Sequence, residues 1–302
     1  MSARKPSCAS PSRDGSSMTG IGSNANSAPR ASVLLVGCGN MGFAFLKRWL
    51  DRRDATGNDY HVVEPNADLA ERAKQAGATV YAGASELPEG FDPIAVFFAV
   101  KPDMLAAVAP PYSVMRSAVF VSFAAGVPAA FFEECLGPRP IVRAMPNIPV
   151  VAGCGTTVSF SNSFVTPGQK ALVQDLLALG GFSHAVDREE LIDVATAVSG
   201  SGPAYIFLIV DLIAEVAMQL GLSEELAFAM TKEMVVGAGE LALKEPGSLA
   251  GLRKQVTSRG GTTEAALAVL NGGNRLADVL REAVTAAHAR ALELRPASAA
   301  SS

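Results

Sequence analysis

The chain has 302 residues, of which 49% are hydrophobic and 18% charged, and its formal net charge is −4. This size and hydrophobicity are sufficient for a buried core and are typical of two domains, and the negative balance without a long basic run gives no indication of nucleic-acid binding. The 4 cysteines and 3 histidines are scattered. We therefore expect no disulfide framework, no bound metal and a reducing, cytoplasmic location.

The two chain ends are predicted to be disordered. Residues 1–30 are rich in Ser, Gly, Asn, Pro and Ala, a composition that buries too little apolar surface to fold. They contain no long apolar run of the kind that a secretory signal requires. The tail at residues 296–302 has a similar composition.

Residues 31–187 are predicted to form a doubly wound α/β domain of the Rossmann type. Apolar, β-rich runs alternate with helical patterns, which indicates a parallel sheet. A helix that starts at residue 67 and ends at Gly77 is predicted after the second strand. The five predicted strands lie within residues 32–37, 60–64, 92–100, 118–126 and 139–147.

Residues 188–295 contain no further strand pattern and are predicted to be helical. The longest predicted helix runs from Pro203, a residue suited to the first turn, to Gly221, a residue suited to the stop. Its strongly polar residues, Asp211, Glu215 and Gln219, form one stripe on an otherwise apolar helix. Two acids inside the segment argue against a membrane span, so we expect this helix to be buried, in part against a second subunit.

The pattern G-C-G-N-M-G follows the first strand and precedes a helix, which is the context of a dinucleotide-binding turn. Gly37 allows the tight turn, Gly39 allows a pyrophosphate to approach the backbone, and Gly42 allows the helix to pack against the strand. The predicted cofactor-binding residues of the turn are Gly37, Cys38, Gly39, Asn40, Met41 and Gly42.

Glu64 ends the second strand about 20 residues after the turn, where an acid accepts the ribose 2′-hydroxyl. An acid there repels a 2′-phosphate, which favours NADH over NADPH; the alternative is an exposed glutamate in a turn before Pro65. Ligands of such sheets bind beyond the carboxyl ends of the strands. Two further strand ends are therefore predicted to contact the cofactor, although Lys101 is equally compatible with a solvated loop: Ala99, Val100, Lys101 and Pro102, and Ala124, Ala125 and Gly126.

The segment VTSRGGTTEAAL, residues 256–267, places two glycines and two threonines before a predicted helix. Free N–H groups and the helix dipole make such a start an anion site. The simpler alternative is an ordinary capped helix start, which is common.

Two other segments stand out beside this one, VRAMPNIP at residues 142–149 and AVSGSGPAYIF at residues 197–207. With the dinucleotide turn and AVKP at residues 99–102, the set in this order resembles the pyrroline-5-carboxylate reductase family from about residue 33 to 294. The resemblance implies a Rossmann domain followed by an all-helical dimerisation domain, NADPH or NADH as cofactor, and the last reaction of proline biosynthesis. It also implies a homodimer, which in the family often assembles further into decamers.

The resemblance further implies that the carboxylate of a small cyclic imine binds the Gly-Thr turn. The substrate-binding residues are then Gly260, Gly261, Thr262, Thr263, Asn147 and Ser201, with the Thr263 hydroxyl meeting the ring nitrogen as the catalytic contact. Other roles are open for two of them, because Asn147 is equally suited to brace its loop and Ser201 to cap a helix.

One residue departs from the family pattern, since Arg259 stands where the family usually has proline. This leaves a related cyclic imine open as substrate. A β-hydroxyacid dehydrogenase is a second alternative, although such enzymes use a lysine on the helix after the glycine-rich turn, and AYIFLIVD has none. A non-catalytic dinucleotide-binding regulator is the third.

Overall fold

The computed structural model describes residues 30–295. The segments predicted to be disordered, residues 1–30 and 296–302, lie outside the described residues except for Arg30. Contacts divide the described chain into two compact units, one containing the residues up to Gly200 and again from Arg290, the other running from Ser201 to Ala289. The domain boundary expected at residue 188 stays a prediction.

The first unit is built around an 8-stranded sheet. Its strands are β1 Ala31–Val36, β2 Asn58–Val63, β3 Thr79–Tyr81, β4 Ala95–Phe98, β5 Val119–Ser122, β6 Ile141–Met145, β7 Gly155–Ser161 and β8 Gly181–Val186. Across the sheet their order is β3-β2-β1-β4-β5-β6-β7-β8, and neighbours are parallel except β6 and β7, which are antiparallel. The order of the first six strands is that of a dinucleotide-binding fold, which confirms the predicted Rossmann-type sheet.

Helices cover both faces of this sheet. They are α1 Asn40–Leu50, α2 Arg53–Thr56, α3 Ala67–Gln75, α4 Leu105–Val108, α5 Ala129–Leu136, α6 Pro167–Ala178 and α7 Leu191–Ala195. Strand β1 shows why the sheet is buried on both sides, since Val33 and Leu35 enter one apolar cluster and Leu34 and Val36 the other. Alternate residues of a strand point to opposite faces, and full burial of each such side chain contributes about 1.5–3 kcal/mol.

All five predicted strands are present, but three strands were missed. Strand β3 has 3 residues, too few for a periodic pattern. Strands β7 and β8 carry polar side chains that face α6, where Gln174 donates to the Ser159 hydroxyl and accepts from the Ser183 hydroxyl, both at 2.6 Å. These polar residues interrupt the apolar pattern that indicates a buried strand. Gln174, the residue that forms hydrogen bonds with them, lies in a separate segment, so the sequence does not indicate that they are paired.

The second unit is helical, as predicted. Its elements are α8 Gly202–Gln219, α9 Glu224–Lys244, α10 Leu249–Gln255 and α11 Thr262–Asn271, and α12 Arg275–Glu293 begins in it. Helix α8 is apolar on most sides, yet in the single chain Phe207 and Leu208 are each 59% exposed. The stretch Leu191–Gln219 is long and apolar enough to cross a membrane by length and composition alone, with 17% of its most apolar window buried. The burial expected for α8 is thus not supplied by its own chain.

Candidate active site

The glycine-rich turn leaves β1 and enters α1 with little free space. Gly37 has φ of +88°, and a Cβ there would lie 2.6 Å from Cγ1 of Val100. A Cβ on Gly42 would lie 2.4 Å from the carbonyl oxygen of Gly37. Gly39, at the N-cap of α1, has open space around it and no side-chain cap. The turn therefore presents a bare helix N-terminus, the arrangement that receives a phosphate.

Two charged side chains hold the peptide groups on either side of Cys38 in this turn. Oε2 of Glu64 accepts the Cys38 N–H at 2.7 Å, and its Oε1 accepts the Asn66 N–H at 2.9 Å. From the other side, the Arg72 guanidinium donates to the Cys38 carbonyl at 2.7 Å. Burial raises the pKa of the Cys38 thiol to about 11, so this cysteine stays a neutral thiol.

Glu64 is buried, with 6% of its surface exposed, unlike the exposed turn glutamate of the alternative interpretation. Both its oxygens already accept backbone N–H groups. Each carboxylate oxygen has a second acceptor site, so these bonds are compatible with a ribose hydroxyl as a further donor.

A cavity of about 440 Å³ opens at the carboxyl ends of β1, β2 and β4. Its lining includes six of the predicted cofactor residues: Gly37, Gly39, Glu64, Ala99, Val100 and Lys101. It does not include Cys38, Asn40, Met41, Gly42, Pro102, Ala124, Ala125 or Gly126. Tyr112 and Met104 also line it, and neither belongs to a motif that would have predicted this.

The turn after β5 is covered by the two residues that follow α12, Leu294 and Arg295. Gly126 has φ of +74°, and a Cβ there would lie 2.8 Å from the carbonyl carbon of Leu294. The same region contains a buried ionic network, since Arg143 donates to Glu189 at 2.9 Å and to Asp193 at 3.3 Å. Arg295 also pairs with Asp193. The network was not predicted, because its members are spread over about half of the chain.

Asn147 braces the loop after β6. Its amide nitrogen donates to the Ser199 carbonyl at 3.0 Å, and its amide oxygen accepts the Thr156 N–H at 2.8 Å. Ser199 lies in a π-helical turn, Thr196–Gly200, a distortion often found at functional sites. Ser201 is the N-cap of α8 and makes no side-chain capping bond.

The Gly-Thr turn in the second unit starts α11. Gly260 has φ of +72° and donates its N–H to the Glu264 carboxylate at 2.6 Å, and the Gly261 N–H donates to the Ser258 carbonyl at 3.1 Å. The N–H groups of Thr262 and Thr263 have no acceptor among the described residues. Two N–H groups at a helix N-terminus therefore form the candidate anion site, because the Gly261 N–H, which was predicted to share in it, donates to the Ser258 carbonyl instead. Arg259 is exposed.

The sheet order, the glycine-rich turn and the helical second unit together define a dinucleotide-binding protein of two compact units. Comparison with known proteins specifies the family. A family model described as pyrroline-5-carboxylate reductase dimerisation matches residues 189–294. The chain is 36% identical over 272 residues to the pyrroline-5-carboxylate reductase of Pseudomonas aeruginosa, covering 89% of this chain and 97% of that one.

Solved structures of pyrroline-5-carboxylate reductases are also similar to this chain. A pyrroline-5-carboxylate reductase from Coxiella burnetii superposes with a TM-score of 0.81 at 35% identity, covering 89% of this chain and 100% of that one. The Plasmodium falciparum enzyme, solved with NADP bound, gives a TM-score of 0.74 at 26% identity, covering 87% and 98%. The chain belongs to the pyrroline-5-carboxylate reductase family.

Proposed function

We propose that this protein reduces 1-pyrroline-5-carboxylate to L-proline by hydride transfer from NADH or NADPH, the last step of proline biosynthesis. The observation that carries the proposal is 36% identity across 97% of the length of a reductase of that name. The glycine-rich turn and its cavity supply the cofactor half independently of that likeness. Because the Plasmodium relative was solved with NADP bound, NADPH stays in the proposal beside NADH.

In the proposed complex the turn of residues 37–42 holds the pyrophosphate and Glu64 the adenosine ribose. The strand ends at residues 99–102 and 124–126 flank the rest of the cofactor. The turn fits this role, because a side chain at Gly37 or Gly42 would clash and the space at Gly39 is open.

Substrate binding is assigned to Gly260, Gly261, Thr262 and Thr263. The free N–H groups of the two threonines suit a carboxylate, since a helix N-terminus favours negative charge. The bond between Gly260 and Glu264 supports a role for Gly260 in shaping the turn. Asn147 and Ser201 are assigned to the substrate from the family resemblance, and the bonds of Asn147 support its bracing role at least as well.

The reaction requires orientation of the cofactor and the imine more than it requires acid or base catalysis. When bound, the reduced nicotinamide supplies a hydride to the carbon of the C=N bond. A protonated imine that accepts hydride becomes an amine without a further proton, so no protein acid is needed. The Thr263 hydroxyl accepts a hydrogen bond from the iminium N–H and selects the face that reacts. Holding the two reactants in a reactive orientation lowers the activation barrier by about 7–11 kcal/mol.

The active form is proposed to be a homodimer, with a decamer as the larger assembly, in the cytoplasm and without bound metal, nucleic acid or membrane. The exposed apolar side chains of α8 and the matched dimerisation model support this assembly. Sedimentation at micromolar concentration tests it, because a stable, active monomer is incompatible with that much uncovered apolar surface.

The test of activity is oxidation of NADH and of NADPH with 1-pyrroline-5-carboxylate, with β-hydroxyacids as controls. Turnover of the imine alone supports the proposal. Turnover of β-hydroxyacids would favour the dehydrogenase, although α8 contains no lysine. Cofactor binding without turnover would indicate a non-catalytic regulator, and turnover only of other imines a related reductase.

A further inference from the structure

We infer that Arg72 is a positioning residue for the cofactor, holding the glycine-rich turn so that its N–H groups face the pyrophosphate. The inference rests on the proposed function, since it assigns Arg72 to the cofactor site of that reaction. Arg72 lies on α3, outside the turn, and no motif includes it.

The geometry begins with two carbonyl groups. The Arg72 guanidinium donates to the carbonyl oxygen of Cys38 at 2.7 Å and to that of Gly39 at 3.4 Å. Its carbon lies 4.0 Å from the centre of the Phe43 ring, a cation–π contact that fixes the side chain against α1. The guanidinium is therefore held in place by the helix that the turn begins.

A planar trans peptide points its C=O and its N–H in opposite directions. The Cys38 carbonyl shares a peptide with the Gly39 N–H, and the Gly39 carbonyl shares one with the Asn40 N–H. Arg72 holds the Cys38 carbonyl, and it shares the Gly39 carbonyl with the Phe43 N–H, which donates to it at 2.9 Å. Both N–H groups therefore point away from Arg72. Neither N–H has an acceptor among the described residues, and the space beside Gly39 is open, as a phosphate site requires.

Charge supports the same assignment. Carbonyl oxygens repel a pyrophosphate, and Arg72 engages them on the far side of their peptides. Glu64 holds the Cys38 N–H from the other end of the same residue. The first peptides of the turn are thus fixed by one cation and one anion before the cofactor arrives, which lowers the entropy lost on binding.

The experiment compares Arg72→Met, Arg72→Lys and the wild type. Arg72→Met keeps much of the aliphatic stem and removes the donors. We expect its KM for NAD(P)H, and its Kd for NADH from fluorescence titration, to rise roughly tenfold or more, the loss of one hydrogen bond from a charged group. The kcat and the KM for the imine should stay within twofold. Arg72→Lys keeps the charge but has a single nitrogen to donate from, so its KM and Kd for the cofactor should lie between those of the wild type and of Arg72→Met.

Arg48→Met is the matched control. Arg48 also donates to a backbone carbonyl, that of Leu179 at 3.3 Å, but at the opposite end of α1 from the turn. It should lower the melting temperature to a similar degree and leave cofactor binding unchanged. If Arg72→Met binds NADH as the wild type does, or if Arg48→Met weakens binding equally, the inference is wrong.

The NADH titration measures cofactor binding without turnover, so its result does not depend on the proposed reaction. Wild-type protein that binds NADH but does not reduce the imine would remove the proposed function, and a tenfold loss of binding in Arg72→Met would still support the positioning role. If Arg72→Met does not fold, Arg72→Lys carries the test: unchanged NADH binding in that variant contradicts the inference, and weaker binding at an unchanged melting temperature supports it.

Discussion

Replacing Glu64 by Gln tests how the protein chooses its cofactor. The carboxylate accepts the N–H groups of Cys38 and Asn66 at 2.7 and 2.9 Å. Glutamine keeps one acceptor oxygen and places an NH₂ donor against one of these two N–H groups. At least one hydrogen bond to a charged group is lost, which costs about 1.5–3 kcal/mol.

The same change should lower kcat/KM for the two cofactors to different extents. Loss of a charged bond to the ribose should lower kcat/KM for NADH by about 10- to 150-fold. With NADPH the variant also loses the repulsion between Glu64 and the 2′-phosphate, so its loss should be smaller. A loosened turn affects both cofactors alike, and the ratio of the two kcat/KM values therefore isolates the specificity effect.

Steady-state kinetics of wild type and variant with both cofactors make the measurement. Asp92→Asn is the control, since Asp92 accepts the Ser117 N–H through both oxygens at 3.1 and 3.2 Å and does not line the cavity at the dinucleotide turn. It should not move the ratio. An unchanged ratio in Glu64→Gln, or a wild type with clearly higher kcat/KM for NADPH, would refute the role given to Glu64.

Three further outcomes are expected. Thr263→Val keeps the side-chain shape and removes the hydroxyl, so kcat/KM should fall about 10- to 150-fold; activity within twofold of wild type would exclude a catalytic contact. Arg259→Pro should hold or improve kcat/KM and slightly raise the melting temperature, because proline narrows the unfolded ensemble and Arg259 is exposed; a tenfold rise in KM for the imine would instead show that arginine binds substrate. Asp193→Asn removes one of the two carboxylates that pair with the buried Arg143 and leaves Glu189 as its charge partner, so it should cost about 1.5–3 kcal/mol of unfolding free energy in urea titration, the worth of a hydrogen bond to a charged group; a loss under 1 kcal/mol would contradict this.

Local patterns determined much of the fold. The strands β1, β4 and β5 are apolar on both faces over most of their length, and that is visible in a short run of sequence because burial by helices on both sides leaves no polar alternation. The glycine-rich turn was equally visible, because the spacing of its three glycines between a strand and a helix is a local pattern, although the contact of Gly37 with Val100 comes from a distant segment. The apolar helix α8 was predicted from composition and termini alone.

Other features depended on partners distant in the chain. Strands β7 and β8 carry polar residues whose partner is Gln174, so their pattern did not indicate a sheet. The sequence placed Glu64 at the right strand end but not its bond from the Cys38 N–H, which exists only because β2 lies beside β1. It likewise could not place Arg72 behind the turn or Arg143 between Glu189 and Asp193.

One physical cause separates the features that the sequence predicted from those that it did not. Steric and hydrophobic requirements that are met by neighbours in sequence, such as a tight turn or a strand buried on both faces, leave a mark in the local residue types. Hydrogen bonds and ion pairs between separate segments leave none, because any donor elsewhere in the chain could satisfy the same acceptor. Local residue types therefore determined the sheet, the dinucleotide turn and the helical second half. Only the tertiary structure decided which side chains from other segments hold the turn, namely Glu64 and Arg72.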